Sequence, residues 1–525
     1  MPSERCIHIV GAGIAGLACA AYLLRDGGVP GRQIHLYEAG QPGGSLDAAG
    51  SAAQGYSMRG SRMFGPAYVL MYELLDAIPS FDDPAKSVAE DTFEFWQSAP
   101  WYDRARLVER GGRIVDPTDW RLRNHDRADL AKLMLRDEGE IEGKRIEECF
   151  EPAFFESNFW LMWCSMFGFE TWHSADELRR YLLRFLRLFP DLETMQIIQS
   201  TRYNGHDSIV TPMLRWLQAQ GVQIETVVEV DDVAFDSGTH GTKLPRRLHI
   251  TRAGRAESIE LGDDDLLILT LGSMTADSSL GSMEAAPVAR AGAPSSSWRL
   301  WQRLAEQDRA FGRPWVFCGQ PDRTTWITFT VTDANLEFFR LVEAFSGSPA
   351  GRGGLVTLKD SSWMLTFHLY PCPAFPGQPD GTGVWWGYGL FPDRIGDFVG
   401  KRMDECSGRE ILVELYAQLG LQERTPALLA SANCIPCRLP YTTSQFMPRL
   451  RGDRPAVLPH GFERLAVVGQ YCEIPANVVY TVEYSVQSAR MAVAGLLGLE
   501  PVPPAYEGLD HPNALVGALR RILND

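Results

Sequence analysis

The sequence predicts an α/β fold centred on a Rossmann-like nucleotide-binding domain assembled from separated segments, with helical and mixed α/β insertions between them. Three observations carry that expectation. The chain opens on "CIHIVGAGIAGLACAAYLLRDGG", a short apolar strand running through a glycine turn into a helix of recurring apolar residues. Continuous apolar runs, suited to strands covered on both faces, return far downstream in "DLLILTLGS" and "RLAVVGQYCEIP". A chain of 525 residues also exceeds what one small core organises.

In the first segment Gly11, Gly13 and Gly16 form GxGxxG between strand and helix, and Glu38 closes the next strand, "QIHLYEAG". The glycines permit a tight turn and close approach of a pyrophosphate to the helix N-terminus, while a carboxylate at that distance accepts hydrogen bonds from ribose hydroxyls. FAD is favoured over NAD because the motif opens the chain and a distant strand-glycine-helix segment, Gly469 through Glu473 to Ser485, is available to reach a flavin. Gly44 and Ser45, then Arg59, Gly60, Ser61 and Arg62 in "RGSR", offer backbone amides and guanidinium groups to the pyrophosphate and ring. The bland alternative for these stretches is a solvated glycine-rich loop.

Residues 66–200 read as a mainly helical substrate domain whose run "FFESNFWLMWCSMFGFETWHSADELRRYLLRFLRLF" is an aromatic wall. Residues 201–284 return to strands, and 455–495 rejoin them, so the FAD-binding domain comprises 1–65, 201–284 and 455–495. Residues 285–454 form a mixed α/β substrate domain with strands such as "TTWITFTVT" and "WMLTFHLY". Residues 496–525 are a tail ending in the amphipathic "NALVGALRRIL", which either docks on the protein or touches a membrane surface.

Composition excludes several classes. A net charge of -16 argues against nucleic-acid binding. No signal-peptide order and no long uninterrupted apolar run occur, so a cytoplasmic location is expected. Ten unevenly spaced cysteines argue against a disulfide scaffold. "CIPC", Cys434 to Cys437, has redox-pair spacing, but no second CxxC accompanies it and no metal site is expected. In "WHSADELRRY", Ser174 and Glu177 have capping-box spacing, which accounts for the stretch better than catalysis at His173.

Six stretches taken together resemble one family: "RGSR", "SNFWLMWCSMFGFETWHSADELRRYLLRF", "TRYNGHDSIVTPM", "LTLGSMTADSS", "PYTTSQFMPRLRGDRP" and "VVGQYCEIPANVVYTVEYSVQSARMAV". The chain is similar over about residues 6–495 to the oleate hydratases, also called the myosin-cross-reactive antigen family. The resemblance implies a hydro-lyase that adds water to the cis-9 double bond of oleic or a similar unsaturated fatty acid, giving a 10-hydroxy acid. FAD is required there in a non-redox or structural role.

Hydration of an isolated alkene needs a proton donor on one carbon and a water-positioning group on the other. The family's acid lies in a "YNQYES"-like stretch that reads "YNGHDS" here, which points to Tyr203 with His206 as competitor. The family's glutamate base, directly after an "RGGR"-like stretch, corresponds to Met63, whose thioether takes up no proton near neutrality. Asp207 is a candidate replacement. Thr442, Ser444 and Gln445 in "PYTTSQF" correspond to the stretch that holds the fatty-acid carboxylate. The departure at Met63 keeps open a flavin-dependent lipid oxidoreductase or double-bond isomerase, and a non-catalytic lipid- and flavin-binding protein. Monomer and homodimer are equally open.

Overall fold

A computed structural model of the chain describes residues 5–99, 101–238, 241–290, 294–500 and 512–524. Its organising element is a five-stranded parallel sheet in the order Leu465–Val468, Leu266–Thr270, Ile7–Val10, Ile34–Glu38, Gln223–Thr226. All four residues of the central strand, His8 included, are buried, as in a parallel sheet covered on both faces. Helix Ile14–Arg25 packs against helix Val482–Leu497, so the N-terminal motif and the distant C-terminal segment share one core.

A second sheet of eight strands runs Ser279–Leu280, Ala432–Leu439, Trp326–Asp333, Gly383–Gly389, Leu365–Leu369, Val356–Leu358, Leu107–Glu109, Arg113–Ile114. It is antiparallel except where Val356–Leu358 runs parallel to Leu107–Glu109. The strand "WITFTVTD" shows how sequence alternation sorts its faces. Ile327, Phe329 and Val331 enter a second hydrophobic core with Phe338, Trp385 and Tyr416. Thr330 and Thr332 point the other way, and their hydroxyls accept the backbone N–H of Met58 (2.9 Å) and Tyr56 (2.8 Å).

Those two bonds fasten the hairpin Ala48–Ser51/Gly55–Met58 to the large sheet. The residues that follow, Arg59 to Met63, therefore emerge between the two sheets. Segments cross the expected borders as well. Leu107–Glu109 and Arg113–Ile114, within the mainly helical stretch, extend the large sheet, and Ser279–Leu280 lengthens its other edge. Helix Ser296–Gln307 packs on the three-stranded antiparallel sheet of Val228–Ser237, Lys243–Arg252 and Arg255–Glu260. Short edge strands of two or three residues carry too little alternation to be read in advance.

The C-terminal helix Pro512–Asn524 docks by burying Ala518 and Ile522 against helix Asn124–Leu135 and the turn Leu186–Asp191. Arg521 lies over the Trp120 ring at 4.9 Å. Among the described residues no helix is long and apolar enough to cross a membrane.

Candidate active site

Gly11 has φ +98°, and a side chain there would press on Thr270. A Cβ at Gly16 would stand 1.9 Å from the Gly11 carbonyl oxygen, so this glycine serves helix-turn packing and does not line the cavity. Gly13 caps helix Ile14–Arg25 without a side-chain bond, which leaves first-turn N–H groups available to an anion. The Glu38 carboxylate accepts the N–H of Ala12 (2.7 Å) and Gly40 (2.9 Å), fixing the loop from beneath.

Above this turn lies a cavity of about 470 Å³ lined by Gly11, Gly13, Glu38, Gly44 and Ser45 from the first segment, by Arg59, and by Gly469 and Ser485. Arg59 forms an ion pair with Asp47 at 3.0 Å. Val228–Val230, Ser295–Ser297, Thr270 and Met274–Ser278 also line the cavity, the last two within the stretch "LTLGSMTADSS" but not named there as site residues. The Thr270 Oγ1 is buried and has no hydrogen-bond partner. An elongated dinucleotide fits this donor set of glycine backbone, hydroxyls and the guanidiniums of Arg59, Arg290 and Arg299.

A second cavity, of about 540 Å³ and mainly apolar, is lined by Met63, Phe64, Met166, Phe167, Leu183–Leu188 and Ile197–Ile198. Trp326, Trp386, Tyr388 and Tyr480 close its inner end together with Ser61 and Arg62. A small void lies between the two cavities. It shares Arg59, Met274 and Thr275 with the first and Arg62, Trp326, Trp386 and Tyr480 with the second, and Gly60 and Thr442 also line it. Arg62 lies 5.4 Å from the Tyr480 ring centroid, over its face. The indole N–H groups of Trp326 and Trp386 are buried there without partners.

Met63 faces the apolar cavity and brings no carboxylate to it. Among the described lining residues the one carboxylate is Glu73, which is paired with Arg25 at 2.6 Å and with Arg490 at 3.4 Å. Buried Glu483 instead holds the cavity wall. Its two oxygens accept the N–H groups of Leu70 (3.0 Å) and Met71 (2.8 Å) at the start of helix Val69–Leu75, and burial holds its carboxyl above the usual range.

Several expected site residues stand outside both cavities. The Tyr203 hydroxyl donates to Asp82 Oδ2 at 2.9 Å, and burial with that carboxylate pushes its phenol up to about 12. His206 begins a π-helical turn, His206–Val210, and its Nδ1, buried and unpaired, would lie 3.0 Å from a Cβ on Gly43. Burial raises the Asp207 carboxyl, which accepts from Asn204 Nδ2 at 2.7 Å. The segment "YNGHDS" thus braces the glycine loop from behind.

In "PYTTSQF", Thr442 Oγ1 donates to the Leu439 carbonyl, Gln445 donates to the Thr442 carbonyl, and Ser444 pairs with the Tyr471 hydroxyl. These polar groups satisfy one another within a buried turn. Glu473 does not reach the nucleotide cavity. It sits in a buried ion cluster with Arg180 (3.2 Å) and Arg449 (3.1 Å), which also holds Glu177 and Arg454. That cluster alters the capping-box expectation. Ser174 accepts from Glu177 N at 3.4 Å, but the Glu177 carboxylate turns to Arg449 and Arg454 rather than back to the cap. Cys434 and Cys437, three apart on one strand, point to opposite faces and are both free thiols, so "CIPC" is not a redox pair.

Residues 4–494 match the model of the MCRA family. An oleate hydratase of Streptococcus pyogenes serotype M49 (strain NZ131) is 36% identical over 518 residues, covering 96% of this chain and 87% of the relative. A linoleate hydratase of Lactiplantibacillus plantarum is 30% identical over 536 residues, covering 94% of this chain and 93% of the relative. Among solved structures, a redesigned putrescine oxidase matches with a TM-score of 0.55 at 14% identity over 94% of this chain and 99% of that one. Cyclohexylamine oxidase from Brevibacterium oxydans IH-35A matches with a TM-score of 0.52 at 11% identity over 94% of this chain and 99% of that one. At such identities the two oxidases speak for the fold alone.

Proposed function

The chain belongs to the MCRA family, and from that premise we propose that it is an FAD-dependent hydro-lyase. It adds water to the cis-9 double bond of oleate or a similar unsaturated fatty acid, yielding a 10-hydroxy acid. The observation that carries this reading is the juxtaposition of the two cavities. A polar, glycine-lined site for a dinucleotide and an apolar chamber suited to an acyl chain lie on either side of the Arg59–Arg62 loop.

Gly11, Gly13, Gly44 and Arg59 would hold the nucleotide, and Arg62 with Tyr480 would border its ring. Bound FAD supplies a planar, polarisable surface beside the alkene, with no net electron transfer in the overall reaction. The chain's own contribution is exclusion. Phe64, Phe167, Leu186 and Ile198 keep bulk water from the acyl chain, so a single held water molecule meets the double bond. The fixed charge of Arg62 stands at the end of the chamber that faces the ring.

Met63 favours a second reading, a lipid oxidoreductase or isomerase on the same scaffold, because the expected base is absent from the loop. One assay separates the two. The full chain, loaded with FAD, is incubated anaerobically with oleate in ¹⁸O-labelled water. Label in a hydroxy acid is the expected result. A shifted or new double bond without label would establish the second reading, and unchanged lipid across several chain lengths would sink both.

A further inference from the structure

Resting on the hydration reading, we infer that the Tyr68 hydroxyl is the group that binds the incoming water, and afterwards the hydroxyl of the product. Water attacks an alkene through an oxygen lone pair, so the group holding it must accept one of its hydrogens. Guanidinium and indole N–H groups cannot do this, and the Met63 thioether does so weakly. Several other hydroxyls lining the chamber already have their proton committed within the protein, so they can accept from a ligand but not also donate to it. Tyr181 donates to the Val479 carbonyl and Tyr388 to the Ser165 carbonyl. Thr481 donates to the Val478 carbonyl and accepts from Tyr484 N. Ser61 and Tyr480 are only half-buried, and the Arg62 guanidinium lies over the Tyr480 ring.

Tyr68 differs from Tyr181, Tyr388 and Thr481 in having no hydroxyl partner among the described residues, and from Ser61 and Tyr480 in being buried. It lines the apolar chamber, is only 6% exposed, and its hydroxyl bonds to no side chain or backbone group among the described residues. Its oxygen is open to the chamber rather than sealed in the wall, so its donor and acceptor functions are both left to whatever occupies that space.

Its position is also built. Phe64, one turn earlier, is pinned by mutual backbone bonds with Gln199, each 2.8 Å, and its ring meets Tyr68 edge-on at 6.1 Å. Immediately after Tyr68, the Glu483 carboxylate clamps the next two free N–H groups, those of Leu70 and Met71. One turn further on, Tyr72 donates to the Gln199 side chain. Burial keeps the phenol protonated far above neutrality, with the Arg184 and Arg62 guanidiniums pulling the other way. Tyr68 therefore acts as a hydrogen-bond partner that retains its proton.

The test uses the FAD-loaded full chain and compares the affinities of 10-hydroxystearate and stearate by their effect on flavin fluorescence. The wild-type protein is expected to prefer the hydroxy acid about tenfold, the range of one hydrogen bond to a buried group. Tyr68→Phe should abolish that preference with stearate affinity and flavin content unchanged, and Tyr68→His, which restores an acceptor, should recover part of it. ¹⁸O incorporation from labelled water, measured alongside, should fall at least about tenfold in Tyr68→Phe.

A Phe variant that keeps the preference overturns the assignment, and so does one that loses flavin or stearate together with it, since that marks Tyr68 as structural. A wild-type protein that prefers the hydroxy acid through Tyr68 but incorporates no label would instead overturn the hydration reading alone.

Discussion

The two neighbouring cavities are made in opposite ways. The nucleotide site is made largely of backbone: glycines at the ends of parallel strands, a helix N-terminus, and Glu38 holding the turn through two N–H groups. The apolar chamber is made of side chains drawn from the "RGSRMFGP" loop, the aromatic helices, the large sheet and the C-terminal segment. A backbone site tolerates almost no change at its few positions but asks little of the rest. A side-chain site can be rebuilt residue by residue, and Met63 is where this chain has done so.

The largest expected effect lies on the backbone side. Gly16→Ala places a methyl group 1.9 Å from the Gly11 carbonyl, and since the obstacle is backbone, no rotamer relieves it. The cost is at least that of an overpacked core, roughly 1–3 kcal/mol or more. Flavin absorbance per chain should fall to near zero in the purified variant. Retention of normal flavin content would show that the turn yields, and the contrast between rigid and adaptable cavities would fail.

The chamber should respond to change by gaining function. Met63→Glu introduces a carboxylate where the lining has only the arginine-paired Glu73, and desolvation in an apolar pocket raises its pKa toward neutrality, which suits a base at neutral pH. The initial rate of ¹⁸O incorporation from labelled water into hydroxy acid should rise about tenfold or more, with some loss of thermal stability from burying a polar group. An unchanged rate would mean that position 63 is remote from the alkene and that the loop in this chain serves the ring alone.

This difference also decides what the sequence could reveal. Gly11, Gly13, Gly44 and Gly469 were legible because a tight turn against a phosphate can be made only with glycine, whatever surrounds it. The parallel sheet followed from apolar runs such as Leu266–Thr270 for the same local reason. Glu473 was misplaced because proximity to Gly469 in sequence says nothing about where its side chain turns, and Arg180 and Arg449 draw it into a cluster formed only by the tertiary fold. Tyr68 escaped notice because it follows an unremarkable "GPA". Its importance lies in the partner it lacks, which no local pattern encodes. The same holds for Val228–Val230 and Ser295–Ser297, brought to the nucleotide by helix packing on the three-stranded sheet.

The smallest expected effect belongs to a segment that lines neither cavity. Resemblance to the family points to Tyr203 as proton donor, yet its hydroxyl is given to Asp82 at 2.9 Å and its ring meets Phe81 edge-on at 6.0 Å. Tyr203→Phe removes one partly exposed hydrogen bond, worth about 1 kcal/mol in stability, and leaves the ring contact in place. Turnover in the labelled-water assay should stay within about twofold, because a group aimed away from the chamber has no path to the alkene. A loss of about a hundredfold, the effect of deleting a general acid, would show that "YNGHDS" swings from behind Gly43 into the chamber during the reaction. The backbone loop would then be a moving part shared by both cavities, and the division between a fixed nucleotide site and an adaptable lipid site would no longer hold.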